Sequence, residues 1–272
     1  MRIISKLAVA VVFGLGLGGC GPVQGTDLGG EDIVSQIEQD YGGPNGLMDF
    51  FVSHTEDEIR QAMAQYGVGY KVYDVGNVMG KIDGIGTVSS ALISDCPKYF
   101  PSSDRNVWQN FDGEYYYIEG YGRPSRAYKY LPPIVAAPRI DSCQTSIGQW
   151  GDAENPSNDY DGGHLIGSQL GGWGGRANIV PQDANFNRGN WVTLENKMAT
   201  CGSLPSGRIR YYIGANYPNS TALIPNTMTM ELRNQSTGSY VSLSFQNVDY
   251  GGSNGTNEKN RGVTFLTGQG CN

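Results

Sequence analysis

The sequence predicts an α+β fold: a mainly antiparallel sheet carrying a strand–loop–strand–helix unit, with a small helical segment ahead of it. Three observations predict it. Polar and apolar residues alternate in the runs Ile209 to Gly214, Thr227 to Leu232 and Tyr240 to Phe245, the period of half-buried strands. The tyrosine-rich run from Gly113 to Gly120 reads as a further strand, with Gly122-Arg123-Pro124 as a turn and Ala127 to Leu131 as its hairpin partner. Residues 159–198 then pass from a glycine-rich strand at His164 through a loop and a short strand at Asn178–Val180 into a helix. There Trp191, Leu194 and Met198 form an apolar stripe at spacings of three and four.

With 272 residues, 39% of them hydrophobic and 17% charged, the chain can bury a sizeable core. That excludes a disordered chain and a disulfide-stapled miniprotein. Forty glycines and 17 tyrosines fit a loop-rich, partly β protein.

The first residues read as an address. Arg2 and Lys6 precede an uncharged apolar run from Leu7 to Leu17, too short to span a bilayer. The run ends in Leu17-Gly18-Gly19-Cys20, which resembles the lipobox of bacterial lipoproteins, with residues 1–19 removed and Cys20 lipidated. Export is the expected destination, as an outer-membrane lipoprotein or a periplasmic or extracellular protein, with the membrane touched only through that lipid. Spending Cys20 on lipid leaves Cys96, Cys143, Cys201 and Cys271, an even set suited to two disulfides outside the cytoplasm. All three pairings remain open. The absence of a CxxC and the presence of only two histidines argue against zinc.

Charge divides the remainder. Asp27 to Asp95 holds twelve acids and three bases, whereas residues 96–272 hold fourteen of each. The overall charge of -7 therefore does not exclude a polyanionic partner. Residues 20–95 are expected to be an acidic, partly helical segment and residues 96–272 the functional domain. Ser53 with Glu56 and Thr55 with Glu58 offer overlapping capping boxes ahead of Ile59, Ala62, Met63 and Tyr66. His54 falls in that cap as a surface residue. The segment reads as a solvated helical appendage or as an acidic shield over a cationic cleft. The polar stretch from Gly251 to Arg261 reads as a long surface loop.

Chemistry concentrates in residues 159–198. His164 offers a base. Asn187, near a helix start, offers a hard amide oxygen to Mg²⁺, which takes few protein ligands and keeps most of its waters. Glu195, eight residues on, points about 80° around the helix and lies about 12 Å along it. That suits it to hold a metal-bound water rather than the metal itself.

Three motifs in this stretch, Asp161-Gly162-Gly163-His164, Asn178-Ile179-Val180-Pro181-Gln182 and Asn187-Arg188-Gly189-Asn190-Trp191-Val192-Thr193-Leu194-Glu195, occur in that order. Together they resemble the DNA/RNA non-specific endonucleases of the ββα-metal (His-Me finger) superfamily in order and spacing. Weaker similarity runs from about Gly113 to Asn247, roughly half the chain, and leaves out the acidic segment. The resemblance implies a ββα-metal core on the sheet. It implies His164 as general base, Asn187 as direct metal ligand, Glu195 as outer-shell support, and Asn178 holding the base and scissile phosphate in place. Asp161, Arg139, Arg176 and Arg188 are the candidate substrate contacts. Gly162 departs from the pattern, because many members carry a phosphate-binding arginine there; Arg139 or Arg188 is expected to supply that charge. The implied reaction is Mg²⁺-dependent (alternatively Mn²⁺-dependent) hydrolysis of phosphodiester bonds in DNA, with RNA as a second substrate, leaving 5′-phosphate ends. Such a nuclease can also have a protein inhibitor as partner.

The alternative from another class is a surface-anchored binding module with a nuclease-like fold and no activity. The intact set of His164, Asn187 and Glu195 argues against it. A glycosidase needs paired carboxylates, and none stands in a recognisable context in residues 96–272.

Overall fold

The computed structural model describes residues 33–74 and 96–272. The expected signal peptide, lipobox and lipidated Cys20 lie outside these residues. Seven strands form one sheet: β1 (Gly69–Tyr73), β2 (Val107–Phe111), β3 (Glu114–Ile118), β4 (Pro124–Leu131), β7 (Ile209–Asn216), β8 (Thr227–Asn234) and β9 (Tyr240–Gln246). They lie in that order, antiparallel throughout except for the parallel pair β1–β2. The expected hairpin and the three alternating strands all appear. Two further strands, β5 (Tyr160–His164) and β6 (Ile179–Asp183), form a separate antiparallel hairpin.

The two-residue period of a strand sends neighbouring side chains of the tyrosine run to opposite faces. Tyr115 and Tyr117 join Trp108, Tyr128 and Tyr212 on one face. Tyr116 and Ile118 join Ala127, Leu131, Tyr211 and Ile213 on the other. Both faces are therefore apolar, and each needs its own cover.

Residues 33–74 cover the first face. Helices α1 (Ile33–Asp40), α2 (Pro44–Ser53) and α3 (Glu56–Ala64) bury Ile37, Leu47, Met48, Phe51, Ile59 and Met63 against it. Thr55 and Glu58 form the expected capping box, while Ser53 bonds back to the Asp49 carbonyl. His54 is exposed at the end of α2. Two expectations are corrected here. A boundary at residue 95 does not separate two packing units, because β1 pairs with β2 across it and Asp32–Asn272 forms one compact unit. Nor do the acidic helices shield the cleft, because they occupy the face opposite the β5–β6 hairpin.

The second face carries the hairpin and three more helices. Helix α4 (Asp141–Glu154) packs on β5 and β6. Helix α5 runs through Ala184–Phe186, a π-turn over Asn187–Trp191, and Val192–Ala199. Its stripe of Trp191, Leu194 and Met198 is fully buried. Helix α6 (Gly255–Gly268) follows β9, where a surface loop was expected. Its buried positions are Gly255, Glu258, Gly262 and Leu266. Two glycines and a carboxylate on the inner face hide the helical period from a hydrophobicity reading. Glu258 accepts from the Ser244 backbone N–H at the edge of β9 and Arg261 donates to the Ser242 carbonyl, which blunts that edge.

Two disulfides, Cys96–Cys143 and Cys201–Cys271, settle the pairing that the sequence left open. The first ties the start of the second described stretch to α4. The second closes a loop of 70 residues across α6, worth about 4 kcal/mol in the chain-entropy picture. A buried network fixes the loop that follows β5. Glu114 accepts from Lys129 at 2.5 Å, the Tyr116 hydroxyl at 2.7 Å and the Trp173 backbone N–H at 2.9 Å. Trp173 also stacks on Phe111, with centroids 5.1 Å apart.

Phe51 stacks on Tyr115 at 5.0 Å and meets Trp108 edge-on at 5.2 Å. Phe51→Ala should destabilise the whole protein by about 3–5 kcal/mol, read from urea unfolding followed by near-ultraviolet circular dichroism. A loss below about 1 kcal/mol would show that the helices sit outside the cooperative unit.

Candidate active site

The cleft is built where β5, α4 and α5 meet. Gly162 lies so close to α4 that a β-carbon there would fall on the Gln144 backbone. This explains the departure from the family pattern: position 162 has no room for an arginine. The close approach sets Gln144 beside the next side chain on the same face of β5. Its Nε2 donates to the Gly162 carbonyl at 3.3 Å and lies 3.4 Å from His164 Nδ1.

His164 is buried at 7% exposure, and its Nε2 has no hydrogen-bond partner among the described residues. Burial, aided by the positive charge of Arg139, pushes its pKa down to about 4. At neutral pH the imidazole is uncharged and one of its nitrogens has a free lone pair. The Trp191 indole donates to the His164 carbonyl at 3.2 Å, and the Tyr211 hydroxyl donates to that of Leu165 at 2.7 Å. These two bonds lock the end of β5 to α5 and to the main sheet.

On the opposite face of β5, Asp161 organises the start of α5. It accepts from Asn187 Nδ2 at 2.9 Å, and from Arg188 through Nε at 2.8 Å and a terminal guanidinium nitrogen at 2.5 Å. A carboxylate only accepts, so it must face the amide nitrogen of Asn187. The amide oxygen is thereby turned away and takes no hydrogen bond from the described residues. Asn187 and Arg188 open the π-turn, a local widening of a helix that recurs at functional sites.

Glu195 is buried on the same helix, against Gly167, where a β-carbon would come within 2.7 Å of its carboxyl carbon. Its Oε1 has no partner among the described residues. Burial pushes its pKa up to about 8, partly offset by the Trp191 indole and the Arg139 charge. Arg139 itself is exposed, and its Nε donates to the Ser168 hydroxyl at 2.8 Å. It is the cation that acts on both His164 and Glu195.

Two of the candidates are placed otherwise. Arg176 is 3% exposed and donates to the carbonyls of Pro97, Lys98 and Ile179. Its guanidinium therefore holds backbone together and cannot meet a substrate. Asn178 is fully buried. Its Oδ1 accepts from the Ile166 N–H, and its Nδ2 donates to the carbonyls of Ile166 and Trp173. It clamps the loop after His164, so any help to the base passes through the backbone. Gln144, Ser168 and Tyr211 escaped the sequence reading. The buried Cys143, Ile147 and Gly151, four residues apart, were the signal for the helix that brings Gln144 in.

Among the described residues no three His, Cys, Asp or Glu side chains gather into a metal site. A cation here would be held mainly by water, the habit of Mg²⁺. The free amide oxygen of Asn187 and the unpartnered carboxyl oxygen of Glu195 fit such an ion.

Three solved structures resemble the chain. NucA from Streptococcus agalactiae with magnesium ion bound superposes with a TM-score of 0.39 at 20% identity, over 52% of this chain and 82% of that one. The same protein with no metal bound gives 0.38 and 19%, over 59% and 86%. An extracellular endonuclease gives 0.34 and 13%, over 48% and 75%. The sequence profile of the DNA/RNA non-specific endonucleases matches residues 105–236, a span that contains Arg139, Gln144, Asp161, His164, Asn187 and Glu195. Residues 105–236 thus carry a DNA/RNA non-specific endonuclease domain.

Proposed function

We propose that the protein is an exported, metal-dependent endonuclease that hydrolyses phosphodiester bonds of DNA and RNA with little sequence preference and leaves 5′-phosphate ends. The observation that carries this reading is the buried, uncharged His164. Its Nε2 is unpartnered, and it lies within the field of Arg139 inside the span that matches the family. Export and lipidation at Cys20 rest on the leader sequence, and the two disulfides agree with a compartment outside the cytoplasm.

His164 Nε2 takes the proton from a water attacking phosphorus, which requires the other ring nitrogen to keep its hydrogen. Gln144 Nε2 faces that nitrogen at 3.4 Å, so with hydrogen on Nδ1 the Gln144 amide turns its oxygen toward the ring to accept it. Arg139, bonded to Ser168, is the exposed cation whose charge acts on the base, and it supplies the charge that Gly162 cannot. Arg188 is already bound to Asp161, which spends part of its charge and leaves it to a flanking phosphate. Asn187 would hold Mg²⁺ (or Mn²⁺) through its amide oxygen, with Glu195 gripping one of the ion's waters. When bound, the metal neutralises charge on the phosphate and on the leaving 3′ oxygen. Binding energy comes mostly from the phosphate backbone, which accounts for the weak base discrimination.

The full-length protein should nick supercoiled plasmid and degrade RNA in the presence of Mg²⁺, and EDTA should stop both. His164→Ala should lower turnover by ~10²–10⁴ while oligonucleotide binding persists. A variant keeping more than about a tenth of the wild-type rate would remove His164 as the base. A wild-type protein that binds nucleic acid without cutting it would instead be a silent binding module.

Asn187→Ala should raise the Mg²⁺ concentration needed for half-maximal activity, and Glu195→Gln should do so more mildly because it acts through water. The reverse order in a metal titration would exchange the two roles.

Glu195 also makes stability depend on pH. Its folded pKa of about 8 lies above the ordinary value of 4.5. Its contribution is therefore fully present below the unfolded pKa and is lost as pH rises through the folded one. In EDTA, the Tm of Glu195→Gln relative to wild type should rise steadily between about pH 5 and about pH 9. A difference independent of pH would mean that the carboxyl is ionised in the folded protein throughout.

A further inference from the structure

Tyr250 sits in a 3-10 turn over Asp249–Gly251 with φ 51° and ψ 18°, the left-handed region. The other described non-glycine residues with positive φ are Asn106 and Asp112, types that tolerate this conformation, whereas a bulky aromatic residue there is an outlier. Gly251 and Gly252, which follow it at φ 83° and 82°, show that the turn already uses glycine where left-handed backbone is required. Core packing does not explain the tyrosine, because the residue is 55% exposed.

The backbone of Tyr250 is nevertheless held firmly. Its carbonyl accepts from the buried Asn190 side chain at 2.6 Å, and the Gly255 backbone lies against it. The ring rests on Gly189, where a β-carbon would come within 3.4 Å of Cδ1 and 3.6 Å of Cε1. Gly189 belongs to the π-turn of α5, directly after Asn187 and the exposed Arg188. A strained and solvent-facing residue thus stands on the shoulder of the helix that carries the metal-ligand candidate and an exposed cation, Arg188, which is paired with Asp161. Strain kept where it adds no packing marks a functional position. An exposed aromatic ring beside a cation is the usual platform for single-stranded nucleic acid, since every base has a face to stack. Residue 250 lies beyond the matched span of residues 105–236, so family membership does not speak for it.

We propose that Tyr250 is a stacking platform for an unpaired nucleobase of the strand being cut, one whose neighbouring phosphate is met by Arg188. The inference rests on the nuclease reading above. It gives the protein a preference for single-stranded or locally opened nucleic acid over intact duplex.

The test is made on full-length His164→Ala protein, whose turnover is lowered by ~10²–10⁴ while binding persists. A fluorescein-labelled single-stranded DNA oligonucleotide and a blunt-ended DNA duplex (a hairpin closed by a non-nucleotide linker) serve as probes for anisotropy titrations. Tyr250→Gly should weaken single-strand binding by about 5- to 150-fold, the range expected for one stacked base. The same change should leave hairpin binding within about twofold, and Tyr250→Phe should bind both probes like the parent. Tm of Tyr250→Gly should equal or exceed that of the parent, because glycine takes this conformation without strain. If that variant fails to fold, Tyr250→Asn, which also tolerates the left-handed region, replaces it. Unchanged single-strand affinity in a folded variant overturns the proposal, as does an equal loss on both probes. A wild-type protein that neither cuts nor binds either probe overturns the nuclease reading, and this inference falls with it. Cutting with no effect of residue 250 on affinity overturns this inference alone.

Discussion

The backbone of Gln144 lies against the Cα of Gly162, and the placement of the polar groups in the cleft follows from that contact. It brings α4 down onto one face of β5, where His164 points, and leaves the other face to Asp161 and α5. The Cys96–Cys143 disulfide anchors the same helix, and Gly148 and Gly151 continue the close approach along β5 and β6. With both faces of the short hairpin fixed, a single strand presents a base on one side and orients a metal-ligand candidate on the other. A side chain at position 162 would separate α4 from β5 and release Gln144 from His164. Position 162 thus has no room for an arginine, and the exposed cation whose charge reaches His164 and Glu195 is Arg139.

The cleft keeps His164 and Glu195 uncharged at neutral pH. His164 is pushed down to about 4 and Glu195 up to about 8, in each case mainly by burial. Pairing the two with each other would satisfy both and make each useless for chemistry. The unpartnered Nε2 and Oε1 instead amount to a cost in stability held ready for ligands. The rest of the fold offsets that cost with two apolar faces and two disulfides.

Much of this was legible in the sequence, and what was not failed for identifiable reasons. Strand alternation located β3, β4 and β7 to β9, because each buries regular apolar positions on at least one face. The motif spacing located Asp161, His164, Asn187 and Glu195, because local backbone geometry fixes their separation. Arg176 was expected at the substrate because nothing in a sequence distinguishes a guanidinium that meets substrate from one that satisfies carbonyls. Helices α4 and α6 were hidden because their inner faces are lined partly by glycine, cysteine and glutamate. The role of residues 33–74 was hidden by their charge. Their acids are conspicuous, but their apolar stripe matches the tyrosine face of a sheet that follows them in sequence.

That charge has a use which the fold makes plain. Glu38 pairs with Arg126 and Asp49 with Arg210, so acids of the N-terminal helices neutralise bases carried by the sheet. Both arginines are mostly buried by the helices, whereas Arg139 and Arg188 stay exposed on the opposite side. The chain is acidic as a whole, yet the acids of the described N-terminal helices lie on the side of the sheet away from the cleft. Charges on opposite faces of a sheet with apolar cover on both sides lie well beyond a screening length of about 8 Å at physiological salt. A polyanion approaching the cleft therefore meets the local cations of the loop and of α5 rather than the net charge of the protein. Segregation of this kind lets an acidic protein take an acidic substrate, and it requires the helices to be part of the fold rather than an appendage to it.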